Sequence, residues 1–133
     1  MIVVDNTVLA DAVFGNHEHR EAAVRLSVID PGWITVNLFR YELGNVAWKM
    51  VRFGKKWSEE RAMDAMKMAS ALLTEVETNL HWSEVMALAL KQQVSYYDAS
   101  YVWLAQSRGL PLYSRDERLR RKCPDVVRAM PTT

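Results

Sequence analysis

The amino-acid sequence predicts an α/β fold in which a mainly parallel sheet is covered by helices on both faces. Short runs rich in β-branched residues alternate with longer segments that keep a helical apolar period, and this alternation continues along all 133 residues. Strands that are separated by helices form parallel sheets, and the crossover helices then lie on both faces. We therefore expect one three-layer α/β/α domain spanning residues 1–133.

The predicted elements follow one another without a repeat or a linker. IVVD and WITV are dense in apolar β-branched and aromatic residues, so both are assigned as buried strands. The helices between them end at Gly15 and at the Asp30-Pro31-Gly32 turn, and Asn37 is assigned as the N-cap of the next helix. The predicted order is strand 2–5, helix 8–14, helix 17–29, strand 33–36, helix 38–54, helix 58–73, strand 75–80, helix 81–93, helix 96–107, strand 110–113, helix 115–122 and strand 126–130.

The second half rests on capping and turn signals. Ser58 begins a helix, and EVETNL gives a weaker strand signal than IVVD or WITV. Two helical segments follow, and Gly109 ends the second of them. LPLY then reads as a strand, and a short basic helix separates it from the last strand.

Composition and charge exclude several classes of protein. The net charge is +1, so any contact with nucleic acid must come from a local patch. Cys123 is the one cysteine, which excludes an intrachain disulfide and suits a reducing cytosol. The sequence shows neither a signal-peptide pattern nor an apolar stretch long enough to span a membrane, so we expect a cytoplasmic protein.

Two acidic residues occupy positions that are not typical of solvent-exposed side chains. Asp5 ends the first strand, where it could also be the N-cap of the following helix. Glu42 lies on the apolar stripe of its own helix, where a carboxylate is costly unless it is paired or bound to a cation. A buried salt bridge to Arg40 or Lys49 is the alternative.

Two further acids follow the same logic with stronger alternatives. Asp98 precedes a buried helix face, but Ser95 and Asp98 also form a plausible capping box. Asp116 follows the LPLY strand, and there Ser114 and Glu117 could form the capping box, which leaves Asp116 as an acid of the first turn.

The predicted topology could bring all four acids to one edge of the sheet. The carboxyl ends of parallel strands meet at the same edge, where such sheets build their sites. Carboxylates this close would raise one another's pKa unless a hard divalent cation such as Mg²⁺ or Mn²⁺ lay between them. We therefore expect a metal site that contains Asp5, Glu42, Asp98 and Asp116.

Four segments resemble the PIN-domain family, and most closely its VapC-type toxins of prokaryotic toxin–antitoxin pairs. They are VVDNT, NLFRYELGNV, YYDASYVWLAQSRGLPLYSRDERL and CPDVVRAMP, and together they span the chain in the family's order and spacing. Thr7 stands where the family often has Ser, and Ser114 where Thr is common; both keep a hydroxyl.

The resemblance implies an endoribonuclease that depends on Mg²⁺ or Mn²⁺. Asp5 and Asp98 would be the main metal ligands, and Glu42 and Asp116 would complete the site directly or through water. Thr7 and Ser114 would support these ligands by hydrogen bonds. The implied mechanism is in-line attack of a metal-activated water on an RNA phosphodiester, which leaves 5′-phosphate and 3′-hydroxyl ends.

The resemblance also implies partners for the chain. RNA would be held by a basic cluster next to Asp116, although a solvated helix face explains that cluster equally well. An antitoxin or a second copy in a homodimer would cover the surplus of Trp and Met on the two middle helices, most of which we expect in the core. The possible RNA contacts are Arg115, Arg118, Arg120 and Arg121, beside Lys122; a second basic run is Arg52, Lys55 and Lys56.

Three other readings compete with this one. A haloacid-dehalogenase-type phosphohydrolase needs a second acid where Thr7 stands, and a response-regulator receiver needs an early acid pair and an acceptor Asp after a middle strand. Neither pattern is present. The stronger alternative is a non-catalytic PIN-like protein-binding or RNA-binding module whose acids receive a partner's arginine.

Overall fold

The computed structural model describes residues 1–54 and 56–132, so Lys55 of the second basic run lies outside the described residues. The observed elements keep the predicted order. They are β1 (Ile2–Val4), α1 (Asn6–Phe14), α2 (His17–Ile29), β2 (Trp33–Val36), α3 (Phe39–Phe53), α4 (Glu59–Ala71), β3 (Leu73–Glu77), α5 (Trp82–Gln92), α6 (Tyr96–Arg108), β4 (Leu112–Tyr113), α7 (Glu117–Lys122) and β5 (Val127–Arg128).

The five strands form one sheet in the order β3-β2-β1-β4-β5, and every pairing is parallel. β1 lies at the centre, where Val3 is in register with Ile34 of β2 and with Leu112 of β4. The carboxyl ends of β1, β2 and β4 therefore lie side by side, because neighbouring parallel strands end at the same edge. The predicted parallel α/β fold is confirmed.

A separate apolar core lies on each face of the sheet. Ile2 and Val4 belong to one core with residues of α1, α2, α3 and α4, whereas Val3 belongs to the other with residues of α5, α6 and α7. This division follows from the alternation of side chains along a strand. Each fully buried Val or Leu contributes about 1.5–3 kcal/mol, so both faces stabilise the three-layer arrangement.

The start of α3 differs from the prediction. Asn37 is not the N-cap: Leu38 holds that position with helical φ and ψ, and Asn37 Oδ1 accepts a hydrogen bond from Arg40 Nε at 3.0 Å. The backbone N–H groups of Arg40 and Tyr41 instead bind the carbonyls of Asn37 and Leu38. A tight turn thus replaces the side-chain cap that the sequence suggested.

Other bounds shift by a few residues. α1 begins at Asn6 rather than at residue 8, because Asp5 caps the helix directly. α4 ends at Ala71, which lets β3 begin at Leu73, two residues before the predicted strand. Gly109 ends α6 as predicted, in the left-handed conformation with φ 65°. Within the described ranges 1–54 and 56–132, no helix is long and apolar enough to cross a membrane.

The large side chains of α3, α4 and the loop between them divide between the core and the surface. Met50, Trp57 and Met66 are partly buried against the first core. Trp48, by contrast, is 55% exposed, and Met63 and Met68 are also exposed. The expectation that most of these residues belong to the core therefore holds for only about half of them.

Candidate active site

Asp5 lies directly after the central strand β1 and begins α1. Its Oδ1 accepts hydrogen bonds from the backbone N–H of Thr7 at 3.0 Å, from Thr7 Oγ1 at 2.5 Å and from the backbone N–H of Val8 at 3.3 Å. The N-cap reading of Asp5 is therefore correct. It does not exclude a second role, since these bonds use only one of the two carboxylate oxygens.

Burial changes the acidity of Asp5. The residue is only 4% exposed, and this desolvation raises the pKa of its carboxyl group from 3.8 to about 6, against the opposing effect of hydrogen bonds from Ser114, Thr7 and Val8. Burying an ionised carboxylate is unfavourable unless positive charge compensates it. Asp5 is thus an acid that the fold holds under electrostatic strain.

Two hydroxyl groups join the start of α1 to the loop after β4. Thr7 Oγ1 lies 3.5 Å from Ser114 Oγ and accepts a hydrogen bond from the backbone N–H of Arg115 at 3.0 Å. Ser114 Oγ in turn accepts one from the backbone N–H of Asp116 at 3.0 Å. The structure therefore brings the two predicted supporting residues together, beside Asp5 and Asp116.

Glu42 lies in the first turn of α3, half-buried, with Tyr101 as its hydrogen-bond partner. Tyr101 Oη donates to Glu42 Oε1 at 2.6 Å, and no ion pair joins Glu42 to Arg40 or Lys49 among the residues described. Burial raises the pKa of the Glu42 carboxyl group, the Tyr101 hydrogen bond lowers it, and the charge of Asp98 raises it further. The salt-bridge alternative is therefore wrong.

Tyr101 was not predicted as part of the site. The spacing from Asp98 placed it on the buried face of α6, and it is 1% exposed as that spacing requires. Burial and the hydrogen bond to Glu42 raise the pKa of its hydroxyl, and the charges of Asp5 and Asp98 raise it further. The available signal in the sequence was the position of Tyr101, three residues after Asp98 on the buried face of the helix. Only the fold shows that its hydroxyl binds the carboxylate of Glu42.

Asp98 lies in the first turn of α6, and its backbone N–H donates to Ser95 Oγ at 3.0 Å. The predicted cap by Ser95 is confirmed, yet the carboxylate also belongs to the acidic site. Burial raises the pKa of Asp98, the charge of Asp116 raises it further, and Arg118 lowers it. Asp98 is therefore close enough to Asp116 for the two charges to repel.

Asp116 has a different local role from the predicted one. Ser114 and Glu117 do not form a capping box; Asp116 is itself the N-cap of α7, and its Oδ1 accepts from the backbone N–H of Leu119 at 3.1 Å. Ser114 instead closes the short turn before the helix. The cap moves because α7 begins at Glu117 rather than at residue 115.

The four predicted acids thus lie at the carboxyl edge of β1, β2 and β4. Glu42 lines a cavity of about 380 Å³, and Asp98 and Asp116 line another of about 150 Å³. Over residues 1–54 and 56–132, no three His, Cys, Asp or Glu side chains are already arranged closely enough to bind a metal ion together. The donor set nevertheless fits a hard cation, because it consists of carboxylate oxygens whose mutual repulsion a positive ion would relieve.

The basic residues near Asp116 are less available than the sequence suggested. Arg115 Nε pairs with the buried Asp11 at 2.7 Å, Arg120 Nη1 donates to the carbonyl of Ser114 at 2.9 Å, and Arg121 pairs with Glu117 at 3.3 Å. Arg118 is exposed and lines the same cavity as Asp98 and Asp116. The Asp11–Arg115 pair was not predicted, because nothing local in the sequence connects α1 to the loop before α7.

Comparison with known proteins agrees with this architecture. The family model described as PIN domain matches residues 2–123. Ribonuclease VapC3 of Pyrobaculum aerophilum is 34% identical over 136 residues, which cover 95% of this chain and 97% of that protein. Exonuclease VapC9 of the same organism is 32% identical over 92 residues, which cover 69% of this chain and 68% of that protein.

Two solved structures share the fold. PAE2754 from Pyrobaculum aerophilum superposes with a TM-score of 0.76 at 27% identity, covering 96% of this chain and 87% of that one. VapC20 of Mycobacterium tuberculosis, described as a sarcin–ricin loop cleaving toxin, superposes with a TM-score of 0.64 at 18% identity, covering 91% of this chain and 94% of that one. At that identity the second likeness concerns the fold alone.

Proposed function

Since this chain belongs to the PIN-domain family, we propose that it is a metal-dependent endoribonuclease, the toxin of a VapBC-type toxin–antitoxin pair. The observation that supports the proposal is that Asp5, Glu42, Asp98 and Asp116 lie along the same edge of the sheet, where Glu42 and Asp98 influence each other electrostatically. Burial and the charge of a neighbouring acid raise the pKa of both Glu42 and Asp98, and such shifts are typical of sites that bind a cation or catalyse a reaction. The ribonuclease named among its relatives is similar over nearly the whole chain.

We propose Mg²⁺ or Mn²⁺ as the cofactor, with Asp5 and Asp98 as main ligands and Glu42 and Asp116 as further ligands, direct or through water. Both cations prefer oxygen ligands and keep several waters, which suits a site open to solvent on one side. When bound, such an ion lowers the pKa of a bound water and stabilises charge on the phosphate and the leaving oxygen.

The chain's own residues would prepare this chemistry. Thr7 fixes one oxygen of Asp5 through its hydroxyl and its backbone N–H, so the other keeps a constant direction. Tyr101 does the same for Glu42 through a hydrogen bond at 2.6 Å. Arg118 and Lys122 line the same cavity as Asp98 and Asp116, so both could offer positive charge to an RNA phosphate beside these acids.

The partners follow from the same proposal. RNA is the substrate, a cognate antitoxin is the protein partner, and the protein works in the cytoplasm as a homodimer. Exposed large side chains on α3 and α4, which include Trp48, Met63 and Met68, supply apolar surface that such partners could cover. Size-exclusion chromatography with light scattering, with and without a co-expressed short protein from the neighbouring gene, tests both assemblies.

A non-catalytic binding module is the second candidate. Among the residues that the structure describes, no three potential ligands already form a cluster that could bind a metal ion. This favours the binding module, because a partner's arginine could neutralise the acids instead. The two candidates differ in one property: only the enzyme turns over RNA in a metal-dependent way.

The deciding experiment is cleavage of structured RNA with and without Mn²⁺ by the parent protein and by the Asp5→Asn and Asp98→Asn variants. We expect cleavage only with metal, and a loss of more than about 100-fold in each variant, since even groups that merely orient metal ligands contribute about 10- to 100-fold. Asp125→Asn changes an exposed carboxylate in the loop before β5 and should cleave like the parent. Cleavage without metal, or variants as active as the parent protein, would exclude the proposed metal-dependent endoribonuclease.

A further inference from the structure

A cavity of about 380 Å³ beside Glu42 has a lining that the acidic site does not explain. Tyr41, Asn45 and Lys49 reach it from α3, Tyr97 from α6 and Asn6 from the start of α1. Glu42 lines this cavity and is also one of the four acids of the proposed site. A ligand group in the cavity would therefore lie next to the reacting phosphate of a bound RNA.

The two tyrosines have matching positions. Tyr41 directly precedes Glu42 and Tyr97 directly precedes Asp98, each in the first turn of its helix. Tyr41 is 74% exposed and Tyr97 is 60% exposed, although both are large aromatic groups. Aromatic side chains that the backbone holds in place offer contact area at a low cost in conformational entropy, which is how proteins present stacking surfaces to unpaired bases.

The polar groups of the cavity suit an uncharged, hydrogen-bonding ligand. Asn6 Oδ1 is a buried acceptor without a hydrogen-bond partner among the residues that the structure describes. Asn45 adds a second amide, and amides both donate to and accept from base edges. Glu42 repels a phosphate at this position, whereas Lys49 can contact the phosphate attached to a base.

We propose that this cavity, lined by Tyr41, Tyr97, Asn6 and Asn45, is a nucleobase subsite that holds one unpaired base of the RNA next to the cleaved bond. The inference rests on the proposed ribonuclease function and adds to it a determinant of substrate choice. Recognition of unpaired bases by aromatic stacking and amide hydrogen bonds is the usual way in which proteins read single-stranded RNA. The subsite requires the target to expose a base at the cleavage position.

The test is a binding scan with fluorescein-labelled single-stranded RNA in which one nucleotide at a time is abasic. It uses the Asp98→Asn variant as background, so that RNA stays intact, and measures anisotropy. We expect one abasic position to weaken binding about 5- to 150-fold, the range of stacking on an aromatic group. Adding Tyr41→Ala or Tyr97→Ala should weaken binding of intact RNA and remove most of the dependence on that position.

Two control variants make the result specific. Tyr41→Phe keeps the ring and should bind like the background protein. Phe53→Ala removes a 66% exposed aromatic group at the opposite end of α3 and should leave both affinity and the abasic profile unchanged. Both tyrosines are mainly exposed, so the alanine variants should fold, which circular dichroism checks.

The possible outcomes separate this inference from the proposed function. A parent protein that cleaves RNA, with tyrosine variants that keep the abasic profile, overturns the subsite and leaves the ribonuclease proposal standing. Tyrosine variants that lose only the antitoxin would assign the cavity to the protein partner and also overturn the subsite. A position-specific loss that disappears in the alanine variants supports the subsite even if no cleavage is found.

Discussion

In metal-free protein, replacing Asp5 by Asn should stabilise the fold at neutral pH. Burial raises the pKa of Asp5 from 3.8 to about 6, so the folded state binds this proton more tightly than the unfolded state does. The favourable contribution of the protonated group is complete below pH 3.8 and is lost as the pH rises to about 6. At pH 7 the ionised carboxylate therefore costs about 3 kcal/mol, which an amide avoids.

The measurement is urea unfolding in EDTA from pH 3.5 to 8. The asparagine oxygen can still accept from Thr7 and Val8, while its amide N–H groups need partners of their own, so a constant offset between the two proteins is expected. The diagnostic quantity is the pH dependence: the difference in free energy of unfolding should grow by about 2.4 kcal/mol between pH 4 and 7 in favour of Asp5→Asn.

Asp30→Asn serves as a control of opposite sign. The backbone N–H of Gly32 lowers the pKa of Asp30, so its carboxylate stabilises the fold at neutral pH and this contribution is lost as the pH falls below the ordinary range of an aspartate. The asparagine variant should thus be less stable than the parent at pH 7 and approach it in acid. Parallel pH curves for Asp5→Asn and the parent would refute the account of a strained, buried acid.

Three further outcomes are expected. Saturating Mg²⁺ should raise the melting temperature, because a ligand at a hundredfold excess over its dissociation constant adds about 2.7 kcal/mol to the free energy of unfolding. Asp98→Asn should remove most of this gain. Tyr101→Phe removes the hydrogen bond to Glu42, so the pKa of Glu42 should rise and the acidic limb of the pH–rate profile should move to higher pH, with an unmoved limb counting against the role of Tyr101. Arg115→Ala leaves Asp11 buried without its 2.7 Å partner and should lower the free energy of unfolding by about 3 kcal/mol, measured in urea. Asp11→Asn should cost less than half as much, because Arg115 is half exposed and water can hydrate it. Equal losses of stability in the two variants would contradict this asymmetry.

Local patterns carried most of the fold. The IVVD and WITV runs, the Ser58 and Ser95 caps and the left-handed Gly109 depend on neighbouring residues only, so the sequence predicts them well. Asn37 shows the limit of such reasoning: a good capping residue was present, but the backbone entered the helix through a turn centred one residue later. Capping propensity alone did not predict that backbone hydrogen bonds to the carbonyls of Asn37 and Leu38 would replace the side-chain cap.

The four acids of the candidate site were predicted from a different kind of signal than the helices and strands. Asp5 and Glu42 interrupt apolar patterns, whereas Asp98 and Asp116 stand beside capping signals, and the parallel topology predicts a common edge for all four. Their partners are not visible in this way. Glu42 meets Tyr101 and Asp11 meets Arg115 across 59 and 104 residues, and such pairings depend on how helices settle against the sheet. The supporting role of Thr7 and Ser114 was expected only because of the family resemblance, and their contact with each other was not predicted.

The arrangement of the sheet has a consequence for the timing of synthesis. β4 pairs directly with the central strand β1, and the loop after β4 carries Ser114 and Asp116 to the residues that follow β1. A growing chain on the ribosome that has not yet released β4 therefore lacks the residues that complete the proposed site beside Asp5.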